Sequence, residues 1–203
     1  MPRHRLYRRN SFAGNIGGMK GQPGDRAIAP GRLALVQSFV NSINVEFGPD
    51  YLATVEGFAT WLDRHGFPGL EPGELDRRDA VTFREALRAL LREHNGGDPD
   101  LPARGAVEHI ARGCPLVVDF DESGALRLGP TLSDVRGVFA TILAAVSEAA
   151  IEGSWQRLKA CHAHQCEWAF YDRSRNRTGR WCSMEVCGTR SKMRVYRESK
   201  KHA

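Results

Sequence analysis

Apolar residues recur through the middle of the chain at the three-and-four spacing that lays a single stripe along a helix. After Arg32, the positions Leu33, Val36, Phe39, Val40 and Ile43 predict a helix running to about Glu46. Pro49 and Asp50 open a second, striped by Leu52, Val55, Phe58, Ala59 and Leu62 and closed by Gly66 and Pro68. A third is expected from Asp79 to His94 on Phe83, Leu87, Leu90 and Leu91, stopping at Asn95-Gly96-Gly97. A shorter one follows over Pro102 to Arg112.

The period then shortens. Pro115 to Phe120 is a β-branched run, Asp121 to Gly124 is turn chemistry and Ala125 to Leu128 returns, which together predict a hairpin. Ser133 stands where a cap would begin a long apolar helix, Asp134 to Glu152. Near the C-terminus, Ser183 precedes a helix expected over Met184 to Ser199, whose Val186, Met193 and Tyr196 form a stripe. Residues 1–31 are rich in Arg, Gly and Pro without periodicity and are expected to be disordered or loosely ordered. The predicted fold class is α+β and mainly helical, organised as that segment, a helical body with one β-hairpin over 32–153, and a small module over 154–203.

Charge sharpens the division. Residues 1–31 carry 6 Lys and Arg against one Asp, residues 32–153 carry 11 against 19 acidic residues, and residues 154–203 carry 12 against 4. An acidic body between basic ends points to a polyanion as partner for one part of the chain. The N-terminus has no apolar stretch of the export-signal kind, and the most apolar run, Val138 to Ile151, falls short of the roughly 20 residues that span a bilayer. A cytoplasmic protein without a membrane partner is expected. No phosphate-binding glycine loop, nucleophile elbow or HExxH occurs, and His65, His94 and His109 stand apart from one another, so an enzyme is not expected.

Four of the five cysteines fall between positions 161 and 187. Cys161 and Cys166 form one pair, Cys182 and Cys187 another, and fifteen residues separate them. Paired thiols with such a spacer fit a closed tetrahedral zinc site, and four thiolates indicate one structural ion. A segment of fifty residues with few large apolar side chains needs that ligation to fold. His162 and His164, inside the first pair, are rival ligands or outward-pointing loop residues. Cys114 reads as a small buried hydrophobe.

Arg173, Arg175, Arg177 and Arg180 crowd the loop between the thiol pairs, and Arg190, Lys192, Arg194 and Arg197 follow on the predicted helix. A basic loop beside a zinc-pinned helix, with the Val186, Met193 and Tyr196 stripe facing the metal core, has the form of a double-stranded DNA grip. The competing reading is a solvated basic face. Asp172, Ser174 and Asn176 read as loop stabilisers. Trp168 and Trp181 are either packing for the zinc core or stacking surfaces for bases. In the body, Asn41, Trp61 and Arg84 are polar or amphipathic groups within apolar helices. They are candidates for a pocket binding a small-molecule effector, or else a satisfied core in which Arg84 pairs with an acid.

The stretch from Asp172 to Arg190, DRSRNRTGRWCSMEVCGTR, with the Cys161/Cys166 pair before it, closely resembles the CGNR zinc finger. Leu35 to Ser42 (LVQSFVNS), Trp61 to Gly66 (WLDRHG) and Phe83 to Leu87 (FREAL) resemble the ABATE domain that precedes that finger. The resemblance implies a bacterial, stress-induced transcription regulator with a treble-clef-like four-cysteine zinc module contacting DNA. Two positions depart from the family pattern: Thr189 stands for its Asn, and Gly179 for a usual basic residue. The expected function is a DNA-binding regulator whose body senses a ligand or mediates homodimerisation. The alternative is a zinc-stapled adaptor for RNA or protein.

Overall fold

A computed structural model describes residues 26–46, 48–120 and 124–201. Helix α1 spans Leu33–Val40 and is buried along its whole length. It ends earlier than its stripe predicts: Ile43 leaves the helix to make an isolated bridge with Asp50, and the side chains of Asn41 and Ser42 bond to other elements. Leu52 is buried without being helical, since α2 (Val55–Arg64) starts only where Thr54 accepts the Gly57 N–H. Helix α3, Glu74–Glu93, begins five residues before its expected start. Its first turn has an exposed Leu75 and no stripe, and it is held instead by the Asp76 carboxylate accepting the Gly73 N–H at 2.9 Å. Helix α4, Leu101–Arg112, is capped by Asp100 and packs on α3.

The predicted hairpin is present as antiparallel β1 (Leu116–Phe120) and β2 (Leu126–Pro130), with Val118 opposite Leu128. Helix α5, Val135–Ile151, is capped by Asp134 rather than Ser133, its carboxylate accepting the Gly137 N–H at 3.2 Å. Glycine is needed at 137 because a Cβ there would lie 2.1 Å from the Leu132 carbonyl oxygen.

Phe39, Trp61, Phe83 and Phe139 from four helices form the centre of the core, with ring centroids 5.3 to 6.4 Å apart along the contacts from Phe39. Their edge-to-face and tilted geometries suit the aromatic quadrupole. The core does not stop at the composition shift at Gly153-Ser154. It continues through Trp155, Leu158, Ala160 and Ala169, which belong to a short turn and to antiparallel strands β3 (Leu158–Ala160) and β4 (Ala169–Tyr171). A π-turn, Met184–Gly188, then leads into α6, Thr189–Lys201.

The first 25 residues of the expected loose N-terminal segment lie outside the described residues, but its last part is ordered, contrary to expectation. Ala29 is buried, and the Gln37 amide accepts its N–H at 2.7 Å and donates to the Ala27 carbonyl at 3.0 Å. Among the described residues, no helix is long and apolar enough to cross a membrane.

Candidate metal centre and nucleic-acid interface

The four paired cysteines converge. Cys161 follows β3, Cys166 closes the knuckle before β4, Cys182 precedes the π-turn and Cys187 lies within it. All four are buried, with sulfur atoms within 4.8 Å of one another. Four sulfurs about 2.3 Å from a central zinc lie about 3.8 Å apart in a tetrahedron. The observed separations include 3.6 Å for Cys166 to Cys182 and 3.8 Å for Cys182 to Cys187. Donor type, spacing and burial therefore fit one structural zinc.

The thiols also compete for protons. Hydrogen bonds from Cys161 and Cys166, and then from Arg26, hold the Cys182 thiol far below its ordinary range. The Cys161 thiol is pushed up, first through its bond with Cys166, and burial pushes Cys187 up to about 12. Four thiolates packed this closely repel one another, and a multivalent cation at their centre would offset that repulsion. Arg26 adds one outer charge, its Nε donating to Cys182 Sγ at 3.1 Å while its guanidinium lies 5.6 Å from the Trp168 ring centroid. His162 and His164 are not part of the sulfur cluster. They line the surface beside it, where His162 Nε2 lies 3.0 Å from the Arg180 guanidinium. Partial burial and the Arg180 charge hold His162 below its usual range.

The packing around the thiols comes from Trp168 and Phe170, with Ala163 and Trp181 partly buried against them. Trp168 is thus core packing, whereas half-buried Trp181 also faces an open cleft. The apolar stripe of the last helix does not cover the metal core as expected. Val186, Met193 and Tyr196 are 39%, 47% and 54% exposed, because the ribbon and knuckle already enclose the sulfurs.

Eight predicted cations, Arg173, Arg175, Arg177, Arg180, Arg190, Lys192, Arg194 and Arg197, are all exposed. The loop carrying the first four is built on a buried ion pair. Asp172, at 4% exposure, accepts from Lys159 Nζ at 2.8 Å, from the Ser174 N–H at 3.0 Å and from the Gly179 N–H at 2.8 Å. Lys159 also donates to the carbonyls of Arg177 and Gly179, which pins Arg177 in its left-handed conformation, φ 54°. Burial disfavours the Asp172 charge, but these bonds win and hold its pKa down to about 2 from 3.8. Its stabilisation of the loop is complete above the ordinary carboxylate range and is lost as the pH falls toward 2.

The departure at Gly179 has a steric reason, since a Cβ there would sit 2.9 Å from the Asp172 carboxyl carbon. We expect Gly179→Ala to loosen the loop by roughly 1–3 kcal/mol. Trypsin should cleave it faster at Arg175 and Arg177 with zinc content unchanged; equal cleavage rates would show that the carboxylate moves aside freely. Thr189, the other departure, donates from Oγ1 to the Met184 carbonyl at 3.2 Å, a local brace for the π-turn.

Of the candidate pocket residues of the body, Asn41 and Arg84 have polar protein partners, whereas the buried Trp61 Nε1 has no hydrogen-bond partner among the described residues. Asn41 binds the β4 backbone as a neighbouring strand would, its Nδ2 donating to the Ala169 carbonyl at 2.9 Å and its Oδ1 accepting the Ala169 N–H at 2.8 Å. Arg84 forms a two-pronged pair with Asp50, at 2.5 and 3.1 Å, and also reaches Glu85. Trp61 stacks on His65 at 4.2 Å within the core. His65 in turn meets the Ser38 hydroxyl and the Trp61 carbonyl, and burial lowers its pKa.

Several residues that join body to finger escaped the sequence reading. Arg88, 1% exposed, donates to the carbonyls of Val40 and Glu167 at 2.6 and 2.9 Å. Asn95 donates to those of Ala160 and Arg180, and His94 Nδ1 to that of Leu158. Glu167, left-handed at φ 48°, is held from α3 by Arg88 on its carbonyl and Arg92 on its carboxylate. The only hint in sequence is a line of cations, Arg84, Arg88 and Arg92, beside an apolar stripe.

The body and the thiolate cradle together define a helical protein with a C-terminal four-cysteine zinc finger. Comparison with known families agrees. The profile of the CGNR zinc finger matches residues 157–200. The profile of the ABATE domain, described as "Putative stress-induced transcription regulator", matches residues 33–153. The chain belongs to the ABATE family and carries a CGNR zinc finger behind that domain. A search of curated proteins finds no match.

Proposed function

We propose that the protein is a DNA-binding transcription regulator whose zinc finger grips the duplex backbone with Arg173, Arg175, Arg177 and Arg180 from the loop and Arg190, Lys192, Arg194 and Arg197 from α6. The observation that carries this reading is the exposure of all eight cations on a frame anchored by the metal site and the buried Lys159–Asp172 pair. Cations on an anchored backbone frame bind phosphates without the cost of ordering the loop, leaving only side-chain rotamer freedom to be lost. The acidic body is a poor polyanion surface and serves instead to hold the finger in one orientation. A role in a stress response accords with the family description, and a cytoplasmic, bacterial setting belongs to the same proposal.

The test is selection of the zinc-loaded protein against a random duplex library at near-physiological salt, with a chelated sample beside it. A motif enriched only with zinc is expected, and a palindromic motif would add a dimer to the reading. Affinity should fall with log salt at a slope of about −4 to −7 for four to eight phosphate contacts. Single-stranded RNA outcompeting duplex at equal salt would replace this reading with that of an RNA adaptor.

A further inference from the structure

A cleft of about 710 Å³ lies between the knuckle that follows Cys161 and the helix α6. His162, His164 and Trp181 line one side, and Arg190, Arg194 and Arg197 come from α6. These three arginines follow at spacings of four and three and so share a helix face. The one carboxylate among the described lining residues is Glu46, which comes from the body and forms an ion pair with Arg190. The Glu46 side chain is 20% exposed and that of Arg190 54%, so the pair is sunk on the body side and open on the other.

We infer that this cleft holds a phosphodiester of the bound nucleic-acid strand, and that Glu46 is an internal stand-in for that phosphate which binding must displace. This rests on the nucleic-acid reading above. A carboxylate paired with an arginine occupies the same donors that a phosphate would use. Its negative charge also opposes an incoming polyanion at the mouth of an otherwise cationic cleft. The body thereby sets the affinity of the finger. Glu46 lies in the turn between α1 and α2, where its N–H donates to Asn44 Oδ1 at 3.2 Å.

The inference has a signature in salt dependence. In the free protein Arg190 is already neutralised from within. When a phosphate takes its place, the released Glu46 carboxylate recruits a solution cation, which cancels part of the counterion release that normally drives binding. Full-length, zinc-loaded wild type, Glu46→Gln, Glu46→Lys, Arg190→Ala, Arg175→Ala and the Glu46→Gln/Arg190→Ala double variant would be titrated with one short duplex at several salt concentrations. Zinc content and unfolding midpoint would be checked for each.

Glu46→Gln should tighten binding about two- to fivefold, the scale of an exposed ion pair. It should also steepen the slope of log affinity against log salt by up to about one unit. Glu46→Lys should act in the same direction and further. Arg190→Ala should weaken binding, and Glu46→Gln should tighten the Arg190→Ala background less than it tightens wild type, because without that arginine only the carboxylate's repulsion of the polyanion is left to remove. If both Glu46 variants leave affinity and slope unchanged while Arg175→Ala still weakens binding, the phosphate is held elsewhere. The inference then fails and the DNA-binding reading survives. If no variant binds duplex even at low salt, both fall.

Discussion

Removing the zinc, by chelation or by Cys182→Ser, is expected to abolish duplex binding and to destabilise the body as well as the finger. Structural zinc contributes roughly 10–16 kcal/mol of apparent folding energy in small modules of this kind. Here the metal closes a ribbon that is also part of the main core, since Leu158, Ala160 and Ala169 are buried among helices α1, α3 and α5. Once β3 and β4 lose their anchor, the Asn41 amide, the Arg88 guanidinium and the Asn95 amide all lose carbonyl partners. Each buried polar group left without a partner costs about 1–3 kcal/mol. Amide hydrogen exchange on zinc-loaded and chelated protein provides the check. Exchange should accelerate at the end of α1 and at the C-terminal end of α3, far in sequence from any thiol of the cluster. Identical exchange there, with loss of protection confined to residues 157–200, would mean the finger folds as a separate unit.

Arg88→Ala should be among the most damaging substitutions outside the metal ligands, lowering stability by about 3–5 kcal/mol. Its side chain is enclosed, and its two terminal nitrogens donate to backbone carbonyls of different parts of the chain, Val40 at the end of α1 and Glu167 in the knuckle. Its Nε is paired with Glu85 at 3.0 Å. Alanine would leave the buried Val40 carbonyl and the part-buried Glu167 carbonyl without their donor, open a cavity, and remove the support for the left-handed Glu167. Arg88→Lys, a single point charge, can serve only part of this forked arrangement and should recover little. Urea unfolding gives the magnitude. Arg78→Ala, at an exposed pair with Glu74, should stay within about 0.5 kcal/mol of wild type. A small effect at Arg88 would show that water reaches the two carbonyls.

Both expectations follow from the same feature, a continuous polar seam between α3 and the metal module. Arg88 and Arg92 in the C-terminal half of α3, with His94 and Asn95 just after its end, present donors, and the knuckle and ribbon present acceptors to them. Gln37 and Asn41 do the same from α1, with the Ala169 carbonyl accepting from both. A finger held in this way cannot swing on a flexible linker. A shift of the ends of α1 or α3 is therefore expected to carry the ribbon, and with it the basic loop proposed to meet nucleic acid.

Much of this protein was legible in sequence, for reasons of short range. The zinc ligands follow from two thiol pairs and a spacer, because metal geometry limits how a short chain can present four sulfurs. The helices, the hairpin and the division of charge follow from periodicity, turn residues and composition, which are local properties. Element ends were less legible. Helix α3 starts early on an Asp76 carboxylate rather than on apolar positions, and α1 stops where Asn41 is drawn to a strand 128 residues away. Only the tertiary structure decided that body and finger share a core, that Asn41 and Arg84 bind the protein itself, and that Glu46 meets Arg190. Those partners are mostly backbone carbonyls or distant charges, and a carbonyl is the same group at every position of the chain. Nothing in the side-chain pattern marks which one a buried amide or guanidinium will find, so packing alone makes that choice.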